Sequence, residues 1–115
     1  MALKTKWSLE EALALVRELE ETVSVFGWHV GLTGGVLKRG YSEKDVDIIA
    51  YPHKRGLFPK FDIDNLYTGL RLLGFQRTHS RKRVKRGWAL AGSKDRKWVE
   101  IWARKGRRMD LMVMS

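Results

Sequence analysis

The sequence contains no cysteine, and its acidic residues are far outnumbered by its basic ones. Without cysteine, disulfides, thiolate zinc sites and a cysteine nucleophile are all excluded. No stretch approaches the roughly 18 consecutive apolar residues that a membrane-spanning helix requires. The N-terminal segment MALKTKWSLEE has no apolar centre typical of a secretory signal. These absences predict a cytoplasmic protein that has no membrane partner.

The residues that are present indicate one folded domain with a polyanionic partner. The chain has 115 residues, of which 43% are hydrophobic, and it includes five tryptophans. This length suits a single domain over residues 1–115, and the aromatic content is untypical of disordered chains. The 23 Lys and Arg residues against 13 Asp and Glu residues give a formal net charge of +10. That charge favours binding to nucleic acid, DNA or RNA.

The first half of the sequence predicts two helices and two strands. Ser8 and Glu11 form an S-x-x-E capping box ahead of apolar residues at helical spacing, which predicts a helix from Ser8 to Phe26. The elements predicted next are a strand over Trp28–Thr33, a loop or short helical turn over Val36–Lys44, a strand over Asp45–Tyr51, a basic loop over His53–Asp62 and a helix over Asp64–Leu73.

The second half of the sequence predicts mainly antiparallel strands. The predicted elements are a strand over Phe75–Thr78, a basic turn or hairpin tip over Arg81–Gly87, a strand over Trp88–Ala91 and a hairpin of Lys97–Ala103 with Arg108–Met114. Helix, strand, strand, helix and then antiparallel strands predict an α+β fold. We expect a mixed, mainly antiparallel sheet backed by helices.

The last hairpin has two plausible registers. A two-residue turn at Lys105 and Gly106 pairs Ile101 with Asp110 and leaves Glu100 among apolar side chains. A three-residue loop with Gly106 in a left-handed bulge pairs Glu100 with Asp110 and gathers the aliphatic side chains on one face. A one-residue slip moves every side chain to the other face. Because the aliphatic residues sort better in the second register, we predict the three-residue loop.

Three aspartates interrupt apolar strands in which aspartate is uncommon. Asp45 and Asp47 stand at i and i+2 in D-V-D-I-I-A, so a strand places both carboxylates on one face. Asp110 is a lone carboxylate within M-D-L-M-V-M. Carboxylates this close repel each other unless a cation lies between them, and ligation by oxygen alone suits Mg²⁺ or Mn²⁺. If the two strands are neighbours, the three carboxylates form a metal site.

Candidate phosphate-binding residues follow the first strand. Gly34 and Gly35 come directly after Thr33, and glycines at a strand end allow a ligand to approach the backbone closely. Their successive N–H groups can bind phosphate oxygens. Lys38 and Arg39 lie a few residues further on and suit the charge of a triphosphate. Together these features predict a nucleotide site for an NTP beside the metal site.

Two segments of the chain resemble a known enzyme family. The stretch GGVLKRGYSEKDVDIIAYP resembles the signature of the DNA polymerase β-like nucleotidyltransferase superfamily, in which a Gly-Gly or Gly-Ser pair precedes a D-x-D strand. The stretch RRMDLMV resembles the third-carboxylate strand of that superfamily, especially in the family X polymerases. The order of the elements is also similar to that family's palm. The resemblance therefore spans roughly Ser8 to Met114 and implies a palm-like fold.

This resemblance implies a role for each matching residue. Asp45 and Asp47 would bind two Mg²⁺ (or Mn²⁺) ions, and Asp110 would bind the catalytic ion and take up or orient the hydroxyl proton. The enzyme would then move an NMP from an NTP to a hydroxyl and release pyrophosphate. Family X polymerases continue into a subdomain that holds the nascent base pair, whereas this sequence ends at Ser115. We therefore expect untemplated transfer, or a homodimer or partner subunit that supplies the missing parts.

Further residues are expected to support the reaction. The resemblance implies that Gly35 and Lys38 bind the β- and γ-phosphates and that Arg108 braces the carboxylates. Glu100 is either a neighbour of the active site or an ion-pair partner of Arg108. A dense basic run is expected to contact a nucleic-acid backbone in a salt-sensitive, sequence-independent way, and it consists of Arg81, Lys82, Arg83, Lys85 and Arg86.

Three functions are consistent with these features. The first is nucleotidyl transfer to the 3′ end of DNA or RNA, which the basic charge favours. The second is the same transfer to a protein or a small molecule. The third is a nucleic-acid-binding module that has the palm fold but does not catalyse.

Overall fold

A computed structural model of the chain describes residues 6–52, 62–83 and 97–114. The helices are α1 (Leu9–Val23), α2 (Gly34–Arg39) and α3 (Asp62–Leu72). The strands are β1 (Trp7–Ser8), β2 (Trp28–Thr33), β3 (Tyr41–Ser42), β4 (Asp45–Pro52), β5 (Gln76–Arg83), β6 (Lys97–Arg104) and β7 (Arg107–Met114). Among the helices of these ranges, not one combines the length and the apolar character needed to cross a membrane.

Five of the strands form one mixed sheet in the order β2-β4-β7-β6-β5. Only β4 and β7 are parallel, and the other neighbouring pairs are antiparallel. Strands β1 and β3 form a separate two-stranded ribbon. Helices α1 and α3 pack on each other and on one face of the large sheet. The predicted α+β fold, with a mixed and mainly antiparallel sheet backed by helices, is confirmed.

Helix α1 forms for the reasons visible in the sequence. The Glu11 backbone N–H donates to Ser8 Oγ at 3.1 Å, and the Ser8 N–H donates to Glu11 Oε1 at 3.3 Å, which completes the predicted capping box. Its apolar stripe is buried at Ala12, Leu15, Leu19 and Val23. The last predicted turn, Ser24–Phe26, is a 3₁₀ helix that ends at Gly27 with φ 85°.

Strands β2 and β4 lie where the sequence predicts them, and β4 extends one residue further, to Pro52. In β4 the fully buried side chains are Val46, Ile48 and Ala50, which face the helices. The intervening residues, including Asp45 and Asp47, therefore lie on the opposite face of the sheet. The segment predicted as a loop or short helical turn contains most of α2, which already begins at Gly34, and the short strand β3.

Helix α3 begins at Asp62, two residues before the predicted start, and a Schellman motif ends it. The Gly74 N–H donates to the Arg71 carbonyl oxygen, and the Phe75 N–H donates to that of Leu70, with Gly74 at φ 88°. Strand β5 then runs to Arg83, beyond the predicted Phe75–Thr78. Residues 81–83, which we expected in a turn, therefore belong to a strand. The predicted strand over 88–91 and most of the predicted loop over 53–62 lie outside the described residues.

The predicted three-residue loop of the last hairpin is wrong. Arg104 pairs with Arg107 and Ile101 pairs with Asp110, so the turn consists of Lys105 and Gly106 alone. Their φ angles of 53° and 74° are those of the left-handed two-residue turn that matches the twist of a hairpin. Sorting by hydrophobicity disfavours the two-residue register because it places Glu100 among apolar side chains, but the structure provides polar partners for that carboxylate.

Candidate metal centre

The parallel pairing of β4 and β7 determines which side chains meet on the open face of the sheet. Asp47 is the register partner of Asp110, and Asp45 is the register partner of Arg108. In each strand the two residues are separated by one position, so all four side chains point to the same face. Two carboxylates from one strand therefore lie beside a carboxylate and a guanidinium from its neighbour.

The three aspartates come together as the sequence predicts. Asp45, Asp47 and Asp110 are all half-buried, and each offers a carboxylate oxygen within 4.8 Å of the others. A Ca²⁺-sized ion, with bonds of about 2.3–2.6 Å, could contact two oxygens at that separation, whereas Mg²⁺, with bonds of about 2.0–2.1 Å, requires the oxygens to lie closer together. The donor set consists of oxygen alone, as Mg²⁺ and Mn²⁺ prefer. The predicted convergence is confirmed, and the site fits the predicted ions chemically.

The electrostatics of the cluster disfavour three bare carboxylates. Burial raises the pKa of Asp47, and the nearby charge of Asp45 raises it further. Burial likewise raises the pKa of Asp45, followed by the charge of Asp110. Partial burial and like charges both oppose ionisation. A divalent cation between the carboxylates would offset both effects, and the Arg108 charge already offsets part of them.

Arg108 supplies a positive charge at the edge of the cluster. Its Nε donates to Asp110 Oδ1 at 2.6 Å, and its Nη2 donates to Asp110 Oδ2 at 3.2 Å. Asp45 Oδ2 lies 3.8 Å from the same Nε. The hydrogen bond to Asp110 is the main cause of the raised pKa of Arg108. Arg108 is thus placed to brace the carboxylates, and because 46% of its side chain is exposed it can also reach solvent.

Gly34 and Gly35 lie directly against Asp47. Strand β2 ends at Thr33, which pairs with Asp47, and α2 begins at the next residue. The Gly35 N–H points at Asp47 Oδ2, 3.4 Å away. Gly34 has φ 70°, and a Cβ atom added there would lie 2.1 Å from Asp47 Oδ2. Only glycine lets the backbone come this close to the carboxylate, so the two glycines belong to the same site as the aspartates.

The two basic residues of α2 differ in their relation to these glycines. The guanidinium of Arg39 folds back over Gly35, since a Cβ atom added at Gly35 would lie 2.2 Å from Arg39 Nη2. Lys38 is exposed in the last turn of α2. Within the described part of the chain, no hydrogen bond or ion pair joins Lys38 to the aspartates. Arg39 is therefore better placed than Lys38 to meet a phosphate at Gly35.

Glu100 is not part of this site, which corrects both roles expected for it. It pairs with Leu111, so it faces the helices, on the side of the sheet opposite Asp110. Its side chain is completely buried, and it accepts hydrogen bonds from the Tyr67 hydroxyl and from Trp102 Nε1. Arg77 Nη1 lies 3.6 Å from Glu100 Oε2. Sequence reasoning missed this arrangement because Tyr67 and Arg77 are distant along the chain.

Two supporting residues were not foreseen from the sequence. The Asp45 N–H points at the hydroxyl of the buried Ser42, 3.4 Å away, and this hydroxyl also lowers the pKa of Asp45. Ser42 stands three residues before Asp45, the spacing at which a serine can bond to the backbone of a turn. Trp7 donates from Nε1 to the Arg108 carbonyl oxygen at 3.2 Å, a contact between residues 101 positions apart that no local signal reveals.

Only part of the basic run predicted to bind nucleic acid lies within the described residues. Residues Arg81, Lys82 and Arg83 form the end of β5, but their side chains are outside the described part of the structure. Lys85 and Arg86 lie wholly outside the described residues. Their contact with a nucleic-acid backbone stays a prediction.

No protein-family model matches the chain, and no curated protein matches it either.

Proposed function

We propose that this protein is a metal-dependent nucleotidyltransferase of the DNA polymerase β-like superfamily. The main support for this proposal is the arrangement of the aspartates and glycines. The parallel register of β4 and β7 brings Asp47 beside Asp110, and Gly34 and Gly35 lie against the same carboxylate. An acidic cluster alone is common on proteins. An acidic cluster beside a glycine pair at the N-terminus of a short helix is the combination that binds a triphosphate together with its cations.

Each part of the site has a distinct task in this reaction. The N–H groups at Gly34 and Gly35 and the guanidinium of Arg39 bind phosphate oxygens of the NTP. Asp45, Asp47 and Asp110 hold two Mg²⁺ or Mn²⁺ ions, which when bound supply the positive charge that activates the attacking hydroxyl and neutralises the leaving pyrophosphate. Arg108, which donates to Asp110 and lies near Asp45, braces the carboxylates.

The transfer itself is a single displacement at phosphorus. The acceptor hydroxyl oxygen forms a bond to the α-phosphorus while the bond from that phosphorus to the α,β-bridging oxygen breaks. Pyrophosphate leaves with the electron pair of the broken bond, and the hydroxyl proton passes to the Asp110 carboxylate. The residues contribute mainly by positioning and by charge, as is usual in phosphoryl-type transfers.

The acceptor that we favour is the 3′ hydroxyl of DNA or RNA. The formal net charge of +10 attracts a polyanion and provides no comparable attraction for a small neutral acceptor. The alternative acceptor is a protein side chain, to which the same reaction would transfer the NMP.

The proposal is tested by incubating the purified chain with α-³²P-labelled NTPs, Mg²⁺ or Mn²⁺, and DNA or RNA primers. We expect labelled primer, and we expect Asp47→Asn to reduce the rate by more than about 100-fold, because even residues that merely orient metal ligands are worth 10–100-fold. Asp64→Asn is the matched control, since Asp64 is an exposed residue of α3. Equal labelling by the wild type and Asp47→Asn would refute the proposal, and label on protein alone would replace the acceptor.

A further inference from the structure

A basic cleft, separate from the aspartate cluster, lies at the junction of α3 and β5. It is on the side of the sheet that faces the helices. Residues 71–77 connect the end of α3 to β5 and border an open cleft of about 460 Å³. The residues that line it are Arg71, Gly74, Phe75, Gln76 and Arg77. Strand β5 is an edge of the sheet among the described strands, and the cleft lies beside the beginning of this strand.

Arg77 is held in place from below by buried groups. Its guanidinium carbon lies 5.0 Å from the centre of the Tyr67 ring, and its Nη1 is 3.6 Å from Glu100 Oε2. Glu100 is completely buried and is also bonded by Tyr67 and Trp102. A buried carboxylate needs such a counter-charge, so Glu100 fixes the orientation of Arg77. The part of the Arg77 guanidinium turned away from Glu100 is available to the cleft.

Arg71 contributes a positive charge that no acidic side chain offsets in the described ranges. Its guanidinium carbon lies 5.8 Å from the Tyr67 ring centre and 6.0 Å from that of Trp102, the outer limit of a cation–π contact. No ion pair involving Arg71 occurs among the residues that the structure describes. Arg71 is exposed in the last turn of α3. The cleft therefore presents the guanidinium of Arg77, which Glu100 orients, and that of Arg71, which has no acidic partner among the described residues.

We infer that this cleft binds backbone phosphates of a single-stranded nucleic acid. Two arginines on either side of a short turn suit phosphate oxygens, because guanidinium groups bind them through paired hydrogen bonds. Strand β5 continues the charge with the sequence QRTHSRKR. The overall charge of +10 also favours a long polyanion over a single small anion. Phe75, the aromatic residue that lines the cleft, is buried and has the Arg104 guanidinium carbon 4.6 Å from its ring centre, so its ring is not open to stacking by a base and the contact is to the backbone.

The position of the cleft relates it to the aspartate cluster. In the sheet order, β5 is two strands from β7, which carries Asp110, and two strand spacings are about 10 Å. Because the cleft and the aspartates lie on opposite faces of the sheet, a nucleic-acid strand held at the cleft would have to pass around the sheet for its end to reach the aspartates. This link to an acceptor strand rests on the proposed function, whereas the phosphate contact itself does not.

The test is a binding measurement without metal, so that it does not depend on catalysis. We would measure the fluorescence anisotropy of labelled oligothymidylate and oligouridylate in EDTA, over a range of NaCl concentrations. Arg71→Ala is expected to weaken binding severalfold and to lower the slope of log K against log[NaCl] by about 0.7, the value for one phosphate contact on a single strand. Arg71→Lys is expected to restore most of the slope because it keeps the charge.

The matched control is Arg17→Ala, which removes the same charge from an exposed position on α1. Unchanged binding by Arg71→Ala, or an equal loss in Arg17→Ala, would overturn the inference. Arg77→Gln provides a second variant, with a thermal melt to show that it folds despite the altered partner of Glu100. Displacement of the oligonucleotide by ATP or inorganic phosphate as readily as by unlabelled oligonucleotide would also overturn it. If the chain transfers no nucleotide but still binds the oligonucleotide through Arg71 in a salt-dependent way, the proposed function is refuted and the inference about this cleft is supported.

Discussion

Asp47 is the residue at which most of the site's contacts meet. It lies beside Asp110 in register, accepts from the Gly35 N–H and leaves no room for a side chain at Gly34. Burial and the charge of Asp45 raise its pKa, so ionisation of Asp47 is less favourable in the folded, metal-free chain than in the unfolded chain. Functional carboxylates often have perturbed pKa values of this kind. The structure therefore predicts that this residue reduces stability until a cation binds.

We predict that Asp47→Asn stabilises the metal-free protein at neutral pH. Because the folded pKa of Asp47 is raised above the unfolded value of 3.8, the folded chain binds more protons in the interval between the two values. Stability therefore falls as the pH rises through that interval, and the loss persists above it. The Tm in EDTA at pH 7 should be higher for Asp47→Asn than for the wild type. Mg²⁺ should raise the Tm of the wild type more than that of the variant.

Asp64→Asn serves as the control for this prediction, because Asp64 is exposed on α3 and remote from the cluster. A lower Tm for Asp47→Asn in EDTA would mean that the carboxylate stabilises the fold, contrary to this account.

We predict that the metal site requires glycine at position 34 for two reasons, the left-handed backbone angle and the close approach of Asp47. Gly34→Ala should cost about 1–2 kcal/mol of stability from the left-handed backbone and should also displace Asp47, whose Oδ2 would be 2.1 Å from the new Cβ atom. Gly40→Ala is the matched control. Gly40 has φ 85° but no atom within 4 Å of an added Cβ atom. Titration with Mn²⁺ should show binding by Gly40→Ala and little by Gly34→Ala; comparable Mn²⁺ binding by the two variants would argue against the proximity of Gly34 to the metal.

At the level of elements, the hairpin of β6 and β7 determines where Asp110 points. A shift by one residue would put Asp110 and Glu100 on the same face of the sheet, so that either Asp110 turned to the helix side or Glu100 turned to the open side. The two-residue turn and the buried partners of Glu100 both stabilise the observed register. The sequence led to the wrong register because sorting by hydrophobicity treats a buried glutamate as an error. The Tyr67 and Arg77 contacts that make its burial acceptable are tertiary and have no local signal.

We predict that the hairpin turn can be improved without altering the site. Lys105 has φ 53°, a left-handed conformation in which asparagine is more favourable than lysine. Lys105→Asn should therefore raise the free energy of unfolding by a few tenths to about 1 kcal/mol, measured by urea denaturation, with unchanged metal binding. Gly106→Ala should lower it, because Gly106 has φ 74°. Destabilisation by Lys105→Asn would indicate a turn of another type.

At the scale of the whole molecule, the features that the sequence predicts correctly are mostly those determined by residues close together along the chain. Helix α1 and strands β2 and β4 follow from periodicity, a capping box and glycine stops, all within a few residues. The meeting of Asp47 with Asp110 needed a strand pairing that periodicity cannot supply, and it was predicted from the unusual residues and the family resemblance. The ribbon of β1 and β3 and the length of β5 had no comparable signal.

Contacts between distant segments join the start of the described chain to the strand of the site. Arg107 donates from Nη1 to Glu11 Oε2 at 3.1 Å and from Nη2 to the Lys6 carbonyl oxygen at 2.7 Å. Its guanidinium carbon lies 3.6 Å from the ring centre of Trp7, which in turn donates to the backbone of Arg108. The segment 6–11 therefore anchors the beginning of β7, two residues before Met109 and three before Asp110. The fold thereby fixes the strand on which the third carboxylate depends.

The measurement that most directly tests this account is a crystal structure of the chain with Mn²⁺ and a non-hydrolysable NTP. Anomalous scattering should place two manganese ions among Asp45, Asp47 and Asp110. The triphosphate should lie against the backbone of Gly34 and Gly35. Manganese absent from the three carboxylates at saturating concentration, or a triphosphate bound elsewhere on the protein, would contradict the assignment of this cluster as a catalytic centre.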